Sequence, residues 1–208
     1  FKDMGWRWGK PSHYLGVFGL ALFIFGAPVL LENLLGLHSP PANVSAGAIL
    51  GSFLTSFVLT IPAGFGEEFG WRAYLLPRLA RQHSLRKALL IHAFIWWAWH
   101  IPALVKIGSQ VDSGGYNLWL SVAVTLFVSL LPAMMNAVLF AYVWTASRSL
   151  AVASVYHAAY DEVRDALQRG IGFGPLVSIW EMSVTLILGA VLLWKADWSL
   201  LRPQKKGS

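Results

Sequence analysis

Apolar residues run in long blocks along this chain, and polar residues gather in the short stretches between them. A helix needs roughly 20 residues to cross the apolar core of a bilayer. Six blocks come close to or exceed that length: 13–36, 44–66, 86–105, 117–146, 150–168 and 175–195. The first tolerates Glu32 near its end. The second carries Pro62 near its end and is expected to continue as an amphipathic segment to about Leu76, where Pro77 stops it. The fourth is long for one crossing and holds Pro132 at its middle, so it is either one tilted, kinked helix or two short ones. Turn signals separate the blocks: the proline-rich stretch 38–43, the glycine-bearing stretch 106–116, Ser147-Arg148-Ser149, and 170–175. The pattern predicts an all-α polytopic transmembrane helix bundle of about six main spans, with a kinked or broken long fourth span. Residues 1–208 read as one integral-membrane domain without internal repeats.

Composition supports this reading. Of the 208 residues, 56% are hydrophobic and only 12% are charged, against about 25% charged in a soluble domain. The net charge of +6 is localised, with Lys and Arg gathered in 72–87 and 195–206. Positive residues mark the cytoplasmic loops beside membrane spans. The 37–43 loop has no charge, and 106–116 has one Lys and one Asp. Both termini are therefore expected on the cytoplasmic side, in the cytoplasmic membrane. Topology alone accounts for the basic residues, so the expected surround is membrane lipid, and nucleic acid is not an expected partner. The absence of Cys excludes disulfides and thiol chemistry. Residues 1–12 do not read as a signal peptide, because charges, Trp6 and Trp8 precede the first apolar block.

Against this background, a few ionisable residues stand at membrane depth, where such groups face a protein interior or a wet cavity. Glu67 and Glu68 end a stretch, 44–66, that has no charge at all. His100, His157 and Asp161 sit in other apolar blocks. Helical rise places Glu67 roughly 15 Å, His100 roughly 20 Å, His157 roughly 10 Å and Asp161 roughly 17 Å from the cytoplasmic ends of their helices. The agreement predicts that Glu67, His100 and His157 line one polar cavity. Glu68 and Arg72 are four apart and can pair on one helix face. Glu67 points about 100° away from Glu68. As a second buried carboxylate it has the environment of a general base or acid. His157 and Asp161 are also four apart and share a face. His92 is expected to be structural, and Glu162 and Asp165 to be solvated. Glu67, His100, His157 and Asp161 are legitimate zinc ligands by type. However, HExxH is absent and no two His residues are four apart on one helix, so no metal or other cofactor is expected.

Three stretches together resemble a known family: Glu67-Glu68-Phe-Gly-Trp-Arg72, Trp96-Trp-Ala-Trp-His100 and His157-Ala-Ala-Tyr-Asp161. They resemble the EExxxR, FxxxH and HxxxN/D motifs of the CPBP intramembrane proteases. This is the CAAX-protease and bacteriocin-processing group, also called Abi. The resemblance covers roughly 60–165, the motif-bearing core. It implies a metal-independent glutamic endopeptidase working near the cytoplasmic face on a peptide or protein substrate, membrane-associated or lipidated. By that likeness Glu67 is the general base and His100 helps hold the attacking water. His157 and Asp161 flank the oxyanion, and Glu68, Arg72 and Trp96 organise the site. Two positions depart from the cleaner pattern. Trp96 replaces Phe, one bulky aromatic for another. Asp161 stands where an Asn amide would donate to an oxyanion. The competing function is a non-enzymatic immunity, chaperone or regulatory membrane protein on the same fold. A transporter is less compatible, since the chain lacks an inverted repeat.

Overall fold

The computed structural model describes residues 4–111 and 117–201. Helix α1 spans Pro11–Leu34 and contains a π-helical turn at Leu22–Gly26. Helix α2 spans Ala46–Gln82, with a π-helical turn at Phe69–Leu75. Helices α3 (Leu85–Trp99) and α4 (Ile101–Gln110) meet at His100 with a 51° bend. Helices α5 (Leu118–Ser147), α6 (Leu150–Gly170) and α7 (Pro175–Lys195) follow, and a short 3₁₀ turn occupies Ser199–Leu201. Helices α1, α2, α5 and α7 are long and apolar enough to cross a membrane, and the α3–α4 pair makes a fifth candidate if it is one broken span. This is the all-α architecture of an integral membrane protein.

The prolines act differently from expectation. Pro77 does not stop α2, which continues to Gln82. It occupies the first turn after the π-helical segment, where a helix tolerates a residue without N–H. Pro132 lies inside one continuous α5. The sharp bend falls instead in the third block, 86–105. Pro102 is the reason: within a continuous helix its ring would clash with the carbonyl of Ala98, four residues back. The helix therefore ends at Trp99 and restarts at Ile101. The turn expected from Lys106 begins later, since Lys106 and Gly108 are helical in α4. Gly114, Gly115 and the basic residues beyond Leu201 lie outside the described residues.

Helix α6 is long enough to span, but its second half is polar, and composition alone does not mark it as a crossing. Its position explains this. It packs against α1, α2 and α5, and most of the 150–166 stretch is buried. A helix shielded by protein need not be apolar all round. Glu162, expected to be solvated, is buried and accepts a 2.6 Å hydrogen bond from Thr60 on α2. Small residues allow the helices to approach closely. A Cβ on Gly64 of α2 would lie 3.1 Å from the Cβ of His157, and one on Gly189 of α7 would lie 2.6 Å from the carbonyl oxygen of Met135.

Glu32, at the far end of α1, is 1% exposed and serves the backbone of another helix. Its carboxylate accepts from the N–H groups of Gly174 at 3.0 Å, Leu176 at 2.7 Å and Val177 at 3.3 Å. These are the donors that the first turn of α7 leaves without intrahelical partners, and a negative charge there suits the helix dipole. Glu32→Ala is expected to lower stability by about 1–3 kcal/mol, the cost of stranding buried donors. Glu32→Gln should cost less, because an amide oxygen still accepts. Thermal unfolding in detergent checks both; an unchanged Glu32→Ala protein would mean that the carboxylate does not hold α7.

Candidate functional site

The close approach at Gly64 brings the middle of α2 against α6 at Ser154 and His157, next to the two glutamates. Glu68 is fully buried, and its Oε1 receives two donors: Arg72 Nη1 at 2.8 Å and His157 Nδ1 at 2.9 Å. The spacing of Glu68 and Arg72 puts them on one face of α2, as read from the sequence. The Arg72 guanidinium is fully buried as well. Aromatic faces supply much of its surround: its Cζ lies 5.2 Å from the Trp96 ring centre and 4.7 Å from that of Phe140. His92 is also fully buried, edge-on to Trp71 with ring centres 6.3 Å apart.

The two imidazoles are held in the same manner from opposite sides. His100 Nδ1 lies 2.7 Å from the carbonyl oxygen of Trp96. A carbonyl only accepts, so Nδ1–H donates and Nε2 is left for other contacts. His157 Nδ1 faces the Glu68 carboxylate, which also accepts, and its Nε2 turns toward Asp161 Oδ2 at 3.5 Å. Asp161 Oδ1 in turn lies 3.3 Å from Arg164 Nη1.

Trp96, His100, His157 and Asp161 line a single cavity of about 900 Å³ between α3, α4, α5, α6 and α7. Neither glutamate is among its lining residues. Glu68 stands behind His157. Glu67 is half-buried, and its Oε2 is buried without a hydrogen-bond partner among the described residues. The expectation of one cavity thus meets the two histidines and Asp161, with Glu67 set back from its wall. Successive helical side chains diverge by about 100°. The face of α2 that carries Glu68 to His157 therefore cannot also carry Glu67 there. Among the described residues, no group of three or more His, Asp or Glu side chains is placed to hold a metal ion.

Sequence reading missed two parts of this cavity. Phe140 packs between Arg72 and His157, with its ring centre 5.5 Å from that of His157; one Phe in an apolar block gives no signal. Ser178, Glu181 and Thr185 also line the cavity from α7. Their spacing of three and four marks one face of an otherwise apolar helix, and this signal was legible in the sequence.

Residues 48–163, from α2 to α6, match the family described as type II CAAX prenyl endopeptidase Rce1-like. All three motifs fall inside the match. Over 86 residues the chain is 34% identical to CAAX prenyl protease 2 of Methanococcus maripaludis, covering 39% of this chain and 31% of that protein. The similarity therefore spans about a third of the length of that relative.

The Arg72–Glu68 pair yields a stability test. Removing one partner of a buried ion pair costs about 3–5 kcal/mol, because a charge is stranded, whereas replacing both by apolar residues often costs little. Glu68→Leu and Arg72→Met are each expected to reduce thermal stability and yield of folded protein, and the double replacement should recover much of the loss. Equal, additive losses in the double variant would mean that the two side chains are not coupled.

Proposed function

This chain belongs to the type II CAAX prenyl endopeptidase Rce1-like family, and on that premise we propose that it is an intramembrane endopeptidase hydrolysing a peptide bond with glutamate-activated water. The observation that carries the proposal is the anchoring of two imidazoles through Nδ1, on different helices, at one cavity in a membrane bundle. Histidines so fixed can hold and polarise a water and a carbonyl.

In this reading the water is held by His100 and Glu67. Glu67 takes its proton as the oxygen attacks the carbonyl carbon of the scissile bond. The tetrahedral oxyanion is met by Nε2–H of His157, whose ring is the doubly protonated imidazolium held between the Glu68 and Asp161 carboxylates. Glu67 then delivers the proton to the leaving amine as the C–N bond breaks. Glu67 makes no hydrogen bond among the described residues, whereas Glu68 is engaged by Arg72 and His157, and this difference supports the role. The side chain turns to the cavity as water and peptide enter; unloaded active sites are commonly looser than loaded ones. Glu68 and Arg72 hold His157 and do not exchange protons with substrate. Asp161 orients His157 from the cavity side, with its charge balanced by Arg164. The basic segments favour cytoplasmic termini in the cytoplasmic membrane, with cleavage near that face.

The substrate is a peptide or protein, membrane-associated or lipidated. A second groove of about 1280 Å³ supports the lipidated form. It lies between the N-terminal segment, α1, α2 and α6, and its wall is apolar, including Trp8, Phe18, Ile61 and Phe65. A prenyl or acyl chain of the substrate would lie there. The motif spacing demands no metal.

Glu67→Gln is expected to remain folded and to lose at least ~10²-fold in turnover, the scale for a general base. Glu68→Gln should lose stability before chemistry. Wild-type activity should survive exhaustive chelation. Peptide cleavage by purified protein in detergent, paired with thermal unfolding, checks all three. An active Glu67→Gln protein would reverse the roles of the acids. Loss of activity on chelation with recovery on adding zinc would replace the mechanism.

A further inference from the structure

The cavity has a second polar wall that the hydrolytic reading leaves unused. Helix α7 presents Ser178, Glu181 and Thr185 to the cavity from one helix face. Glu181 is half-buried and accepts one hydrogen bond, from the Tyr160 hydroxyl at 3.1 Å. No Lys or Arg among the described residues lies within ion-pair distance of it. Arg164 is the only Lys or Arg among the cavity's described lining residues, and it is already engaged by Asp161 at 3.3 Å and Asp165 at 2.8 Å. Of the two lining carboxylates, Asp161 faces Arg164 and His157, whereas Glu181 has no cationic side chain within ion-pair distance among the described residues.

An independent observation marks this wall as built for a ligand. Thr185 is 2% exposed, yet its hydroxyl has no partner among the described residues. On α5, Asn136 also lines the cavity and is 8% exposed, and its Oδ1 is likewise unpartnered among the described residues. Buried polar groups are ordinarily hydrogen-bonded. Two such groups lining one cavity beside an uncompensated carboxylate match the needs of a bound peptide. Amide N–H groups would meet Asn136 Oδ1, a backbone carbonyl would meet the Thr185 hydroxyl, and a cation would meet Glu181.

We propose that the α7 wall is a substrate-recognition subsite at which Glu181 binds a basic side chain, Lys or Arg, of the peptide, while Thr185 and Asn136 bind its backbone. The subsite deepens the endopeptidase reading and rests on it for the word substrate. Placing a basic side chain here confers selectivity because a cation without a partner at membrane depth is costly.

The test uses the full chain in detergent and a set of peptides in which each position in turn carries Lys or norleucine, a side chain of similar length without charge. Wild type is expected to prefer Lys by about tenfold or more in kcat/KM at one position, the scale of a charge-assisted hydrogen bond. Glu181→Gln should abolish that preference, mainly through KM, and leave the norleucine peptide within about threefold of wild type. Glu181→Asp should keep part of the preference. Equal losses on both peptides in Glu181→Gln, or no Lys preference at any position in wild type, would overturn the subsite and leave Glu181 as a support for Tyr160. Fluorescently labelled forms of the same peptides, titrated against wild type and Glu181→Gln at equilibrium, keep the two proposals separate. Selective Lys binding without cleavage sinks the endopeptidase reading and retains the subsite. Cleavage without selective Lys binding does the reverse.

Discussion

The structure turns on one buried carboxylate oxygen. Glu68 Oε1 receives a guanidinium from its own helix and an imidazole from α6, and it does so in a bundle whose surroundings are largely hydrocarbon. None of the three groups is stable there alone. Arg72 needs a counter-charge, Glu68 needs donors, and His157 needs its ring fixed if Nε2 is to address the cavity. The glycine at position 64 makes the meeting possible by letting α2 lie against His157 itself. Packing and electrostatics are therefore one constraint: a larger residue at 64 would separate the helices and part His157 from Glu68, leaving Glu68 only the arginine of its own helix.

That constraint separates the two neighbouring acids. One carboxylate on the buried face of α2 is committed through Oε1 to Arg72 and His157, although its Oε2 has no partner among the described residues; its neighbour, about 100° around the helix, makes no hydrogen bond among the described residues. A committed carboxylate organises, and an uncommitted one is free to move a proton. The cavity in front of His157 has the same division. Histidines and Asp161 occupy the walls formed by α3 and α6, and α7 supplies polar groups that none of the three motifs contains.

Much of this was legible in the sequence, for physical reasons. Helices α6 and α7 were readable because apolar blocks end at Ser-Arg-Ser and at a Gly-Pro pair. The Glu68–Arg72 pair followed from helical spacing, and the shared depth of His100 and His157 followed from helical rise. The failures concern groups whose behaviour depends on tertiary neighbours. Pro77 was read as a stop because a π-helical turn has no sequence signature; Pro102 does interrupt its helix, while Pro62 and Pro132 lie within continuous ones, so the residue type alone does not decide the outcome. Glu162 was read as solvated because its Thr60 partner is about a hundred positions away in the chain. Glu181 was overlooked although its stripe with Ser178 and Thr185 was visible, because it belongs to no motif.

The division between the acids is tested most directly at the ring of His157. With His157 assigned in ¹⁵N-labelled protein, the nitrogen chemical shifts report which ring nitrogen carries the proton and what it faces. A protonated Nδ1 bonded to a carboxylate is expected in wild type. It should be strongly perturbed in Glu68→Gln and nearly unchanged in Glu67→Gln. An Nδ1 without a proton in wild type, or a His157 signal that responds to Glu67→Gln and not to Glu68→Gln, would contradict the assignment of Glu68 as holder and Glu67 as the reacting acid.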